Sequence, residues 1–351
     1  MKNFLLIVFV IVVYSCSFGQ KSISEKKEKN VVKEVFSDSI YVLNNEYAIG
    51  DARRYGVTAK TAKLQHPNTG KNRIASVLDL AEQSGLEISF PSGYYGMDLT
   101  LDSRKNLNLK FNRSEFSLIH ITQRKKEDEI PENIRLKGTL ISYDRLGITE
   151  AKNITIDTVY LKTDVTKSLR NMRNRGCHIY HGCSNIKINY LEIDDFGSGD
   201  ASYQYNHAAV AIDGYSNNPD NIVISKVYIK SSDRHGVYMT GTDNTIKELI
   251  IDSFGTGSSE FMSGMQDANN KAGENKEFTA LWMNKCDYCY VDKVTINEAG
   301  SRGVNTVFLD AGDPLKKSEV SKLIILNDNS KMGVKKDANT NIVIVNTKIS
   351  N

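Results

Sequence analysis

NIVISKVYIKS, residues 221–231, decides the fold. An Asn opens it, apolar and polar side chains then alternate through Ile222 and Ile224, and a second alternating run follows at once in Val227 and Ile229. The same phrase recurs as NLNL at 106, NIRL at 133, NITI at 153, NIKI at 185 and NIVI at 341. Second runs such as VYLKT, YLEID and TKISN follow several of them. The interval between phrases varies, from 20 residues (133 to 153) to 36 (185 to 221). Each unit is therefore a strand-turn-strand coil with loops of unequal length. Such a unit cannot bury its apolar side alone and must stack on its neighbours.

Period-two alternation rich in Val, Ile and Tyr, only 5 Pro, and no helical periodicity in this half exclude a helical solenoid. They predict an all-β parallel β-helix. An immunoglobulin-like sandwich would need hairpin turns between neighbouring strands, and these are mostly missing. Asn suits the recurring turn because it tolerates left-handed backbone and its amide can bond to the next coil.

Upstream, RIASVLDLAEQSG (73–85) places Ile74, Val77, Leu78 and Ala81 at helical spacing, and Gly85 ends the run. A short amphipathic helix there would close the open end of an apolar stack, where unpaired strands invite aggregation. The strand LEISF and the turn PSGYY follow. From this helix through GLEISFPSGYY (85–95) to the NIxI coils, roughly residues 50–349, the chain resembles the pectate-lyase-like superfamily of right-handed parallel β-helices. The likeness is to the branch of pectate lyase, rhamnogalacturonase and epimerase-like proteins. It departs from that pattern at LQHPNTGKNR (64–73), which stands where the family carries an acidic segment. The resemblance implies a single-stranded right-handed β-helix with an N-terminal capping helix, and carbohydrate chemistry.

The chain opens with MKNFLLIVFVIVVYSCSFGQ, the layout of a bacterial secretion signal: one Lys, an apolar run from Phe4 to Val13, and small residues at the exit. The run is too short to span a bilayer. Cleavage after Gly19 predicts a secreted or periplasmic protein; a lipidation box ending at Cys16 predicts an outer-membrane lipoprotein anchored there. The expected layout is a signal at 1–19, a charged tether at 20–45 too poor in apolar residues to fold alone, an N-terminal cap at 46–95, and one β-helix at 96–351. A net charge of +3 with no long basic run argues against a nucleic-acid partner. A monomer is expected, with membrane contact only through the possible anchor.

Overlaying the coils at Gly176, Ala209, Gly236, Ala280 and Gly303 sorts the side chains by face. Cys177, Ile179, Val210, Ile212, Val237, Met239, Leu281 and Met283 turn inward. His178, Ala211, Tyr238 and Trp282 form one outward column; Tyr180, Asp213, Thr240 and Asn284 form the next. A solvent-side sheet with no task would carry Lys, Glu, Thr and Ser, whereas this one carries aromatics, a His, an Asp and the only Trp. The longest loops, 163–175, 194–207 and 252–279, enter on the same side and would wall a groove.

Flat aromatic rings with many donors and acceptors suit a sugar chain. Cations at the rim, Arg175, Arg234 and Arg302, would suit uronate carboxylates or sulfates. Lysis of a uronan needs the carboxylate neutralised, a base, and an acid for the leaving oxygen. Arg234 or Arg175 could do the first, His178, His207 or His235 the second, Tyr238 or Tyr180 the third. Tyr205, Trp282, Asn284 and Thr240 would contact substrate. Asp213 with Asp194, Asp195 or Asp200 could instead hold Ca2+ for the neutralising step. The leading expectation is a polysaccharide lyase acting on an acidic polymer by β-elimination.

A hydrolase is the alternative, because RHGVYMTG (234–241) is similar to the His-containing strand opening of polygalacturonase-type enzymes. It needs two carboxyl groups, and where that family has upstream aspartates this chain has NRG (174–176) and NH (206–207), so a further acid such as Asp233 or Asp200 would be required. A non-catalytic glycan-binding or surface-structural β-helix is the third possibility. Plainer readings stand beside these: Arg234 and His235 as the polar filling of a sharp corner, Asp213 as the cap of the turn DGYSNN, Trp282 and Tyr238 as packing beneath a loop. Cys177, Cys183, Cys286 and Cys289 read as small stacked hydrophobes, with CDYC (286–289) a lone CxxC.

Overall fold

From Asn106 to Asn221 each recurring Asn phrase leads into a strand that pairs in parallel with the next such phrase one coil away. A computed structural model describes residues 37–168, 173–197, 208–256, 278–329 and 331–350. Two interleaved ladders account for nearly all of the strands. The longer strands are β4 (Asn108–Phe116), β6 (Glu132–Ser142), β8 (Lys152–Leu161), β10 (Ser184–Ile193), β12 (Asp220–Ile229), β14 (Thr245–Ile251), β16 (Tyr290–Asn297), β18 (Ser318–Leu326) and β20 (Ile342–Ser350), each paired with the next in this series.

The second ladder runs β3 (Leu99–Thr100), β5 (Ile119–Ile121), β7 (Leu146–Ile148), β9 (Cys177–Ile179), β11 (Ala208–Ile212), β13 (His235–Thr242), β15 (Thr279–Asp287), β17 (Asn305–Leu309) and β19 (Val334–Lys336). Strands β1 (Glu87–Phe90) and β2 (Gly93–Tyr94) both join β4. Pairing that skips one strand each time, parallel throughout these pairs, is the connectivity of a stacked coil. The chain is all-β and consistent with a parallel β-helix.

Asn is the reason the turns superpose. Asn106, Asn133, Asn153, Asn185 and Asn221 all sit at φ between 53° and 57°. Each later amide donates from Nδ2 to the Oδ1 of the one before: Asn133 to Asn106 at 3.1 Å, Asn153 to Asn133 at 3.1 Å, Asn185 to Asn153 at 3.0 Å and Asn221 to Asn185 at 2.6 Å. Left-handed backbone costs most residues about 1–2 kcal/mol, and Asn offsets it with local bonding. Beyond Asn221 the same level is held by Asp243 and Tyr288, still left-handed. Asn341 departs from the expected pattern: its side chain turns inward and donates to Cys286 O and Lys316 O.

The predicted inward residues are all buried and belong to one continuous core. Helix α1 (Arg73–Ser84) forms where the spacing predicts it. Asn72 Oδ1 accepts from the Ala75 N–H at 2.8 Å, and Gly85 at φ 69° ends the helix. Ile74, Val77, Leu78, Leu80 and Ala81 join the core. Packing begins earlier than the expected tether boundary at 45, because Tyr41 is buried against His66 and Asp38 pairs with Arg54 at 3.0 Å. The signal segment and most of the tether lie outside the described residues. Among the described residues no helix is long and apolar enough to cross a membrane.

Candidate functional site

The second ladder carries the two outward columns. Register pairs His178 with Ala211, Ala211 with Tyr238, Tyr238 with Trp282, Trp282 with Phe308 and Phe308 with Lys335. One residue further along, Tyr180, Asp213, Thr240, Asn284 and Asp310 follow the paired inward residues Ile179, Ile212, Met239, Met283 and Leu309. The overlay slips in its last coil. Thr306, not Gly303, is level with Ala280, because Ser301–Val304 are spent on the corner and β17 starts only at Asn305. That slip is why Phe308, Asp310 and Lys335 escaped notice, although all three obey the same alternation.

Trp282 is the hub of the face. Its ring lies 4.9 Å from Tyr238 at 77°, 5.3 Å from His235 at 58° and 5.5 Å from Phe308 at 25°. Its Nε1–H donates to Asp310 Oδ2 at 3.2 Å, which fixes the ring's rotation. Lys335 Nζ stands 4.5 Å above the Phe308 ring. Tyr238 accepts a hydrogen bond on its hydroxyl from Asn284 Nδ2 at 2.8 Å. Burial pushes its pKa up to about 12, so the phenol stays protonated at neutral pH. Tyr180 is pushed up to about 12 for the same reason, and its ring meets that of His178 at 5.2 Å.

His235 is set by its neighbours. The Thr279 N–H donates to His235 Nδ1 at 3.0 Å, so in the neutral ring the proton sits on Nε2. Phe278 packs edge-on against the ring at 5.4 Å. In this tautomer the ring is a hydrogen-bond donor at Nε2.

The cations differ most from expectation. Arg175 is not at a rim: it is 2% exposed, and its Nε lies 2.5 Å from Oδ1 of Asp144, itself buried. Arg234 is 1% exposed, and burial pulls its guanidinium below the ordinary range. Beside it, Asp233 is pushed up to about 6, because burial outweighs the pull of Arg234 and Arg173. Arg173 Nη1 reaches Asp233 Oδ2 at 3.6 Å while its own Nη2 pairs with Asp195 at 2.5 Å. These charges fill a corner. Arg302 alone of the three proposed rim cations is exposed.

Three further residues are placed otherwise than at an open groove. His178 points outward by register but is fully buried. Thr240 is buried and donates to Ile212 O at 3.3 Å. Asp213 caps its turn, accepting from the Tyr215 N–H at 3.2 Å, which is the plainer of its two readings. His207, Tyr205 and Asp200 lie outside the described residues. Asp194 pairs with Lys230 at 2.5 Å, and Asp195 with Arg173. Among the described residues no group of three or more His, Cys, Asp or Glu could hold a metal ion.

The face thus brings together Tyr238, Trp282, Phe308, Asn284, Asp310 and Lys335, with His235 behind Trp282. A depression of about 450 Å³ on the Asn turn, lined by Asn106, Asn133, Arg135, Asn153 and Asn185, is a weaker candidate, because its amides already bond to one another. Comparison with protein-family models, with curated proteins and with solved structures gives no match.

Proposed function

We propose that this chain is a secreted right-handed parallel β-helix, closed at one end by α1, that binds an acidic polysaccharide along the Tyr238–Trp282–Phe308 column and cleaves it by β-elimination. One observation carries the reading: three aromatic rings in register on adjacent coils, with hydrogen-bonding side chains beside them. Coils are spaced at about 4.8 Å, a repeat on which successive rings of a sugar chain can rest. Ring faces stack on sugars while Asn284 and Asp310 offer polar contacts.

Within this reading Tyr238 is the acid that protonates the leaving oxygen, since burial keeps its hydroxyl protonated. His235, with its proton on Nε2, donates a hydrogen bond. Charge on the polymer would be met by Arg302 and Lys335, the cations that reach solvent, and not by Arg175 or Arg234. Asp213, although it caps its turn through Oδ1, is assigned as the base.

Non-catalytic binding is the second reading, favoured by the occupied Nδ1 of His235 and the buried, ion-paired Arg175. Incubating the protein with a panel of uronans separates the two. Ultraviolet absorbance of an unsaturated product supports the lyase; new reducing ends without that absorbance indicate a hydrolase. Retention on the polymer with neither product leaves a binding module.

A further inference from the structure

We infer that Cys286 and Cys289 are the two halves of a disulfide that closes one turn of the stack when the protein folds under oxidising conditions.

The turn has a direct comparator one coil earlier. Register sets Gly241 beside Cys286, Thr242 beside Asp287 and Thr245 beside Tyr290, so Gly241–Asn244 and Cys286–Cys289 are the same turn in successive coils. In the earlier coil Asn244 ties the corner. Its buried Nδ2 donates to Thr240 O at 2.8 Å and Pro219 O at 3.1 Å, and its Oδ1 accepts from the Ile222 N–H at 2.8 Å. Cys289 holds the place of Asn244 and makes with a thiol the weaker counterpart of the bond to Pro219 O, a contact with Gly241 O at 3.4 Å.

Its partner is the other end of the same turn. Cys286 and Cys289 are both buried free thiols at the two ends of one turn. The Cys286 Sγ–H points at Met239 O at 3.2 Å and the Cys289 Sγ–H at Gly241 O at 3.4 Å, so both sulfurs lean on the same neighbouring turn. Tyr288, between them at φ 57°, bends the backbone back on itself. Cys183 lies in the same column as Cys286 but three coils away, through Pro219 and Gly241, and cannot compete for it.

Formation removes one hydrogen from each thiol. Two electrons and two protons pass to an external disulfide of the glutathione type, which is reduced to two thiols while the Sγ–Sγ bond forms. Both sulfurs being buried, exchange occurs during folding, before the turn closes. The bond would fix the end of β15 two residues beyond Asn284, the residue that holds the Tyr238 hydroxyl.

The test is thiol mapping of the full chain refolded in a glutathione redox buffer, unfolded without reductant, alkylated and digested. The expected result is a 286–289 peptide that is unalkylated and two hydrogens lighter, with Cys177 and Cys183 alkylated. Reduction should restore alkylation and lower the Tm by roughly 2–4 °C. The double substitution Cys286→Ser with Cys289→Ser should abolish that difference. Alkylation of both Cys286 and Cys289 after oxidising refolding, or a bridge between any other pair, overturns the inference. A single Cys286→Ser variant, which should leave Cys289 alkylatable, keeps the mapping decisive if the double variant does not fold.

Discussion

Asn284 reaches from one coil to the next and donates to the Tyr238 hydroxyl across 2.8 Å. The amide holds the phenol in place on the face, and burial keeps its hydroxyl protonated. That relationship gives Tyr238 its proposed role and makes it testable: Tyr238→Phe should lower turnover on a uronan by about 10²-fold or more with the unfolding midpoint little changed. Asn284→Ala should cost less, since it loosens the phenol without removing it. Unchanged turnover in both removes the pair from the reaction.

Trp282 touches three other rings and should matter to affinity whether or not bonds are cleaved. Trp282→Ala should weaken retention on an acidic oligosaccharide about tenfold, read by titration calorimetry. Equal affinity for both proteins would place the ligand elsewhere.

Asp144 and Arg175 are expected to serve stability. Removing either partner strands a buried charge, so Asp144→Ala and Arg175→Ala should each cost about 3–5 kcal/mol in urea unfolding. The paired change Asp144→Leu with Arg175→Met should cost much less. A stable Arg175→Ala protein that has lost ligand binding would return that arginine to the groove.

Asp233 should write a pH dependence into the fold. Its folded-state pKa of about 6 lies above the ordinary 3.8, so the folded protein keeps this proton to higher pH than the unfolded chain does. The stability it contributes is complete below the unfolded value and lost as pH rises through about 6, a change of about 3 kcal/mol. Asp233→Asn should flatten the urea midpoint over that window; an unaltered slope would show that another group titrates.

The Asn ladder offers a test of the scaffold alone. Asn153→Ala removes the amide bonds to Asn133 and Asn185 and places Ala at φ 56°, for a cost of about 1–3 kcal/mol by denaturant unfolding. Asn153→Gly keeps the backbone free and should lose less. Equal losses would mean that the backbone conformation contributes nothing.

The stack was legible because its signal is local: a period of two and a recurring turn Asn are both written in consecutive residues, as in NITI at 153 and NIVI at 221. The face was legible for the same reason through Trp282. It failed at Gly303, where corner residues resemble a strand opening and nothing nearby shows that β17 begins later. Burial was the larger gap. Arg175 reads as a rim cation until Asp144, 31 residues earlier, is seen beside it. His178 faces outward in register and is nonetheless buried, its ring against that of Tyr180, and alternation records the face of a residue but not its burial.

The amide ladder also has a direction. From Asn133 to Asn221 each Nδ2 points back toward the preceding coil, so the row is a head-to-tail chain of small dipoles. A duplicated or deleted whole coil would join this chain in the same sense and leave its neighbours undisturbed, whereas a partial coil would break it. The scaffold can therefore lengthen or shorten in steps of one whole coil, and such steps are the cheapest route by which descendants of this chain could change the length of the stack.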